Sequence, residues 1–198
     1  MKRLVVITVG KTHSGKTTFA RKLEQELKNS IVMDQDNHGA FINKYYKNLQ
    51  PKTGPNTLKH AISQLIVDYA KEHNDCHLII CNSNRSRSGR TYLLEQLFPE
   101  HEFIRILVHF DLPDHVLHAR VLNSQRSTDI FRSASNFEQV LDRQNADSLK
   151  EDVVDPVEGE ADHLFVIKNS EEVEHVIDRI LMIDELEIGN DTRSIVPK

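Results

Sequence analysis

After an apolar, β-branched run, LVVITV at Leu4–Val9, the chain reads GKTHSGKTTFARKLEQEL. Gly10 to Thr17 fits G-x-x-x-x-G-K-[ST], a phosphate-binding loop that needs a strand before it and a helix after it. Both are supplied: Leu4–Val9 is strand-like, and Phe19, Ala20, Leu23 and Leu27 recur at helical spacing. Gly10 lets the chain turn sharply out of the strand, and Gly15 lets backbone N–H groups approach a phosphate without a Cβ in the way. The helix N-terminus adds unpaired N–H groups and partial positive charge. Lys16 is placed to reach the β/γ-phosphates and Thr17 to ligate Mg²⁺. His13, Ser14 and Thr18 complete the candidate nucleotide contacts, and the cofactors expected are ATP and Mg²⁺.

Strands and helices alternate along the rest of the chain. Ser30–Met33 reads as a short second strand ending at Asp34, followed by a polar stretch with loop signals at Pro51, Gly54 and Pro55. Leu58, Ala61, Ile62, Leu65, Ile66 and Tyr69 form an amphipathic helical stripe. His77–Cys81 and Phe103–Phe110 read as strands, with a helix at Tyr92–Phe98 between them. A helix carrying Val116, Leu117 and Val121 begins near Pro113, and Ser135–Glu138, SNFE, has a capping-box pattern. His163–Ile167 reads as the last strand, and Val173–Leu181 as the last helix. The expectation is an α/β fold: a mostly parallel five-stranded sheet with helices on both faces. A single domain over 1–188 is expected, with a helical lid at about 120–135 and a frayed polar tail over 189–198.

Composition narrows the function classes. The 198 residues carry a net charge of −5, which argues against long nucleic acid as a partner. No apolar run approaches the ~20 residues of a membrane span. Cys76 and Cys81 form no zinc pattern and read as thiols of a reducing compartment, the cytoplasm. Nothing in the sequence speaks to oligomeric state.

Ligands in parallel α/β sheets bind beyond the carboxyl ends of the strands. Three clusters lie there. In MDQDNH, Asp34 and Asp36 fall on one side of an extended chain, so either carboxylate could face the phosphate loop. Asp36 is the candidate general base, Asp34 a second substrate contact or a helix cap, and His38 a further substrate contact. In CNSNRSRSGR, Asn84, Arg85 and Arg90 could grip an anionic acceptor, because arginine binds phosphate bidentately. Asn82 stands where many phosphate-loop enzymes place a metal-supporting acid. In HARVLNSQRSTDIFRSA, Arg120 and Arg126 are candidate phosphate contacts, with Arg126 the catalytic arginine of a closing lid.

Taken in order, these segments resemble the polynucleotide 5′-kinase type of P-loop kinase, within a wider group of gluconate-kinase-like and zeta-toxin-like enzymes. GKTHSGKTTFAR, Asp36, LIICNSNRSRSGR and HFDLPDHVLHARVLNSQR carry the resemblance, over roughly Leu4 to Leu149. It implies Asp36 as base and arginines in a lid. The turn in FVIKNSEE resembles the one that borders adenine, which implies Lys168 and Asn169 as nucleotide contacts. Two positions depart: Asn82 replaces the family aspartate, and Gly39 stands where the family has a substrate-gripping arginine. The second departure argues against a polynucleotide acceptor.

The function expected is transfer of the ATP γ-phosphate to a hydroxyl acceptor: a small molecule such as a sugar, a nucleotide, or a short nucleic-acid 5′ end. Two alternatives stay open, a nucleotide-dependent binding or switch module and a degenerate kinase fold. A GTPase switch fits poorly, since neither N-K-x-D nor a D-x-x-G after the third strand is present.

Overall fold

The computed structural model describes residues 2–193. Its centre is a five-stranded parallel sheet in the order β2-β3-β1-β4-β5. The strands are β1 (Arg3–Val9), β2 (Ser30–Asp34), β3 (His77–Cys81), β4 (Phe103–Phe110) and β5 (His163–Ile167). The first strand is central and buried on both sides. Leu4 and Val6 face one core with α1 (Lys16–Glu26), α5 (Asp114–Leu122), α6 (Phe137–Asp147) and α7 (Glu172–Arg193). Val5, Ile7 and Val9 face the other, against α3 (Thr57–His73) and the segment that follows α4 (Arg87–Thr91). The split follows from the two-residue period of a strand.

Several elements differ from expectation, each for a local reason. The polar stretch after β2 begins as a helix, α2 (Gln35–Tyr45), because Asp34 caps it by accepting a hydrogen bond from the Asp36 N–H at 2.9 Å. Asp34 and Asp36 are therefore a cap and a first-turn residue, and the two-residue alternation of an extended chain does not apply to them. Helix α3 is rotated from its most apolar face: Ser63, Val67 and Ala70 are buried, whereas Leu65 and Tyr69 are 69% and 61% exposed. Small residues let α3 approach its neighbours closely, which leaves part of the apolar stripe on the surface.

The helix expected over Tyr92–Phe98 starts earlier, at Arg87, and ends in a wide turn in which the Phe98 N–H reaches the Leu93 carbonyl at 2.8 Å. That π-type spacing keeps Leu94, Leu97 and Phe98 buried. The cap of α6 is one residue later than SNFE suggested. Asn136 accepts from the Gln139 N–H, and the Gln139 side chain accepts from the Ser135 N–H, both at 2.9 Å. The segment expected to be a helical lid holds no helix: 123 to 136 is an irregular loop between α5 and α6, and Arg120 lies before it on α5. Helix α7 continues to Arg193, past the expected end at Gly189; residues 194–198 lie outside the described residues.

Arg90 is a structural residue rather than a substrate contact. Its side chain is 0% exposed. The guanidinium pairs with Glu160 at 2.5 and 3.2 Å and donates to the carbonyls of Asn84, Arg85 and Val154. It thereby pins the loop after β3 and the strap before β5 to one another. Replacing it leaves a shielded carboxylate and three carbonyls without their donor. We expect Arg90→Met to lower unfolding free energy by about 3–5 kcal/mol, the usual loss when one partner of a buried pair is removed. Urea titration checks this, and wild-type stability in the variant would refute it.

Candidate active site

The carboxyl ends of β1, β2 and β3 open onto a cavity of about 960 Å³. The phosphate-binding loop forms its floor. Gly10 has φ +151°, and a Cβ there would lie 3.0 Å from the Phe110 carbonyl oxygen and 3.1 Å from Ser14 Oγ, so only glycine fits. Gly15 has φ +104° at the N-cap of α1. His13 is also left-handed, at φ 59°. Side chains brace the loop from outside: Gln144 Oε1 accepts from the Thr12 N–H at 2.7 Å, and Arg120 donates to the His13 carbonyl at 3.1 Å and to Ser170 Oγ at 2.9 Å.

The Lys16 ammonium is held by the Lys11 carbonyl and by Ser14 Oγ, the latter at 3.2 Å. Burial is the first cause that brings its pKa down to about 8; Cys81, Asp36 and Asp34 oppose the change and Arg126 adds to it. His13 is pushed down to about 4, first by burial and then by Arg126, Lys16 and Arg120, so its imidazole is neutral at pH 7. Its Nε2 lies 2.7 Å from Ser124 Oγ at the start of the lid loop.

Asp36 and Arg126 meet across the cavity, at 3.3 Å from Oδ2 to Nη2. The Arg126 guanidinium also lies 5.1 Å from the centre of the Phe137 ring. The lid loop is docked on the far side too. Asn43 donates to the carbonyls of Asp129 and Phe131, and Arg132 to those of Pro51 and Gly54.

Asp34 is buried, and burial raises its pKa, with the Asp36 charge contributing and the hydrogen bond from the Asp36 N–H opposing. Its Oδ1 accepts that bond, and among the described residues Oδ2 has no hydrogen-bond partner. Thr17 Oγ1 lies 3.6 Å from Cys81 Sγ, and Cys81 is paired in register with Asp34. The hydroxyl and the two carboxylates are hard oxygen donors beside a phosphate loop, a donor set that suits Mg²⁺ and its waters. Asn82 also lines the cavity, and its amide donates to Gln35 Oε1 at 2.9 Å.

The cavity thus brings together His13, Ser14, Gly15, Lys16, Thr17, Thr18, Asp34, Asp36, Arg120, Arg126 and Asn169. Gly10 shapes the loop from beneath. Other candidates are placed elsewhere. His38 Nδ1 lies 2.8 Å from Ser63 Oγ on α3. Asn84 donates to the Thr8 carbonyl, and Arg85 to the Gln144 carbonyl and Ser148 Oγ; both line an adjoining cavity of about 820 Å³. Lys168 is outside the lining, with its N–H bonded to Glu172. The sequence alone missed Lys59, Arg143, Gln144 and Phe137, which line the cavity from α3 and α6. Their signal was hidden, since each falls within an ordinary helical pattern.

With this geometry in place, comparison with known proteins decides the family. Residues 5–147 match the sequence model of AAA_33, described as an AAA domain. The chain belongs to this family. Solved structures with the same fold include a sugar kinase from Janibacter sp. HTCC2649, 21% identical over 92% of this chain and 94% of that one, with a TM-score of 0.57. A gluconokinase from Sinorhizobium meliloti 1021 is 14% identical over 98% and 99%, with a TM-score of 0.54. The APS kinase of Mycobacterium tuberculosis, solved with AMPPNP and APS, is 17% identical over 89% and 96%, with a TM-score of 0.55. A search of the curated proteins finds no match. The fold of this AAA_33 chain is that of the P-loop kinases, as its resemblance to gluconate-kinase-like enzymes implied. Among the described residues no helix is long and apolar enough to cross a membrane.

The buried lysine makes nucleotide binding depend on pH. A polyphosphate favours the charged ammonium, so above pH 8 the free protein must take up a proton to bind. Affinity for an ATP analogue is expected to fall as pH rises beyond about 8, by at most about tenfold per pH unit. Calorimetry in buffers of different ionisation enthalpy reads the proton directly. Affinity that stays flat to about pH 9, roughly one unit above the lysine midpoint, would contradict it.

Proposed function

We propose that this protein is an ATP- and Mg²⁺-dependent phosphotransferase acting on a hydroxyl acceptor. The observation that carries this is the Asp36–Arg126 pair, which sets a carboxylate and a lid arginine at 3.3 Å across the cavity whose floor is the phosphate loop. Both roles of a phosphoryl transfer site are then filled. The Asp36 carboxylate takes the proton of the acceptor hydroxyl, and Arg126 faces the charge that develops on the equatorial phosphoryl oxygens. Lys16 and the loop N–H groups hold the phosphates, Arg120 stiffens the loop, and Asn169 borders the nucleotide. Thr17, with Asp34 and Asp36 through water, would hold Mg²⁺, which when bound neutralises the polyphosphate charge.

The acceptor is a small molecule, a sugar, a nucleotide or a short nucleic-acid end. The kinase neighbours named for sugar, gluconate and APS support the small-molecule end of that range. Two free, buried cysteines suit a reducing compartment, and we place the protein in the cytoplasm. One observation favours a switch module or an inactive fold instead: Asn82 offers no charge and is bonded to Gln35. Asp34 outweighs it, because a buried carboxylate with one oxygen unbonded lines the same cavity as Thr17.

Asp36→Asn should leave affinity for an ATP analogue within a few-fold and lower acceptor-dependent ADP release by about 10²–10⁴-fold, the usual share of a general base. Unchanged transfer would remove Asp36 as base. Lys16→Ala should abolish turnover with the fold intact by circular dichroism; full activity in that variant would sink the phosphotransferase assignment.

A further inference from the structure

Lys59 is a charged group of the cavity lining that has no place in the mechanism above. It lies in the first turn of α3, on the side of the cavity where α2 and the segment carrying Ile130 meet. Its stem crosses Gly39: the lysine Cδ lies 3.8 Å from where a Cβ on that glycine would be, and the Ile130 carbonyl of the lid lies 3.2 Å from it. A side chain at position 39 would therefore compete with both the lysine and the docked lid. Among the described residues the Lys59 ammonium has no hydrogen bond, and no carboxylate lies within ion-pair distance of it. Burial lowers its pKa, and Asp36 and Asp34 oppose that change from across the cavity while Arg132 adds to it.

An ammonium half-drawn out of water with no protein partner gains a charge-assisted bond when a ligand brings in an anion. The other cations of the lining differ: Lys22 is paired with Glu174, and Arg143 is exposed to water. Arg126 is paired with Asp36, and Arg132 holds two backbone carbonyls. The ATP phosphates are assigned above to the loop around Lys16, whereas Lys59 lies on α3 against Gly39 and the segment carrying Ile130. The remaining candidate is the acceptor.

Resting on the phosphotransferase assignment, we propose that Lys59 is an acceptor-binding residue and that the acceptor is a hydroxy compound carrying its own carboxylate or phosphate. The anion sits on Lys59, and the hydroxyl is thereby turned towards Asp36. In this arrangement Gly39 is the space that lets a cation enter from α3 rather than from α2.

The test uses matched acceptors that differ only in the anion: gluconate with glucitol, glycerol 3-phosphate with glycerol, and a nucleoside 3′-phosphate with its nucleoside. ADP release with Mg·ATP is measured for the wild type, Lys59→Met and Lys59→Arg. Binding of the same compounds to protein loaded with a non-hydrolysable ATP analogue is measured by calorimetry. The wild type should prefer the anionic member of at least one pair by about tenfold or more, as expected for a charge-assisted contact. Which pair responds separates carboxylate from phosphate. Lys59→Met should erase the preference through KM, with kcat changed less, and Lys59→Arg should restore most of it. Binding of the ATP analogue reports whether each variant is folded. A preference that survives in Lys59→Met, or no preference for an anion in any pair, overturns the proposal. Anion-selective, Lys59-dependent binding without ADP release would instead overturn the phosphotransferase assignment and leave the anion subsite standing.

Discussion

Lys16 holds a cation out of water with only a carbonyl and a hydroxyl as direct partners, and much of the cleft is arranged around that position. A lysine whose folded pKa lies below its unfolded value destabilises the protein while it is charged, and the destabilisation fades as pH rises from about 8 towards the unfolded value. The carboxylates of Asp34 and Asp36 reduce this cost from a distance without forming an ion pair that a phosphate would have to break. His13, a second basic group in the loop, stays neutral and so adds no further repulsion. The loop is thus prepared for an anion before one arrives, and its rigidity comes from Gly10 packed on Phe110 and from the side chains of Gln144 and Arg120.

That preparation depends on the sheet. Strand β1 pairs with β4 along its whole length, from Arg3–Phe103 to Val9–His109, and with β3 on its other side. Both faces of β1 are buried, so its register cannot slip by one residue without exchanging the two cores. The loop that follows it is consequently fixed relative to Asp34, since β2 reaches the same edge through β3. Three carboxyl ends in parallel, each leading into a helix, bring the phosphate loop, the capping aspartate and the polar turn after Cys81 to one cavity.

The parts legible in the sequence were those where one local rule acts alone. The phosphate loop and all the strands each follow from spacing or apolar runs. The parts that were not legible are those where a tertiary contact overrides the local pattern. Helix α2 was obscured because its capping residue, Asp34, looked like the last of an extended run, and its first turn is polar on the side that faces the cleft. The face of α3 was misjudged because hydrophobicity favours Leu65 and Tyr69, whereas close packing favours Ser63 and Ala70. Arg90 looked like a ligand contact since nothing in the sequence links it to Glu160, far along the chain and buried against it. His38 was turned towards Ser63 by the same helix start that re-aimed Asp36.

The substitution at position 39 has a structural counterpart that a linear comparison cannot reveal. Where the resembling kinases carry an arginine on the second helix, this chain has a glycine, and read along the chain that is a lost charge. In the arrangement proposed for Lys59 that charge comes from α3, with the Ile130 carbonyl and the lysine stem against the room the glycine leaves. A cation on α3 is anchored to a different helix from the one that carries Asp36. Its distance from the base is then set by the packing of α2 on α3, not by one helix's own rise. The phosphate loop is dictated by backbone geometry that tolerates little change, whereas the part of the cavity lined by α3 and α6 is built from helix side chains that can be exchanged between elements. A P-loop kinase can for this reason keep its phosphate chemistry while its acceptor specificity moves from one helix to the next.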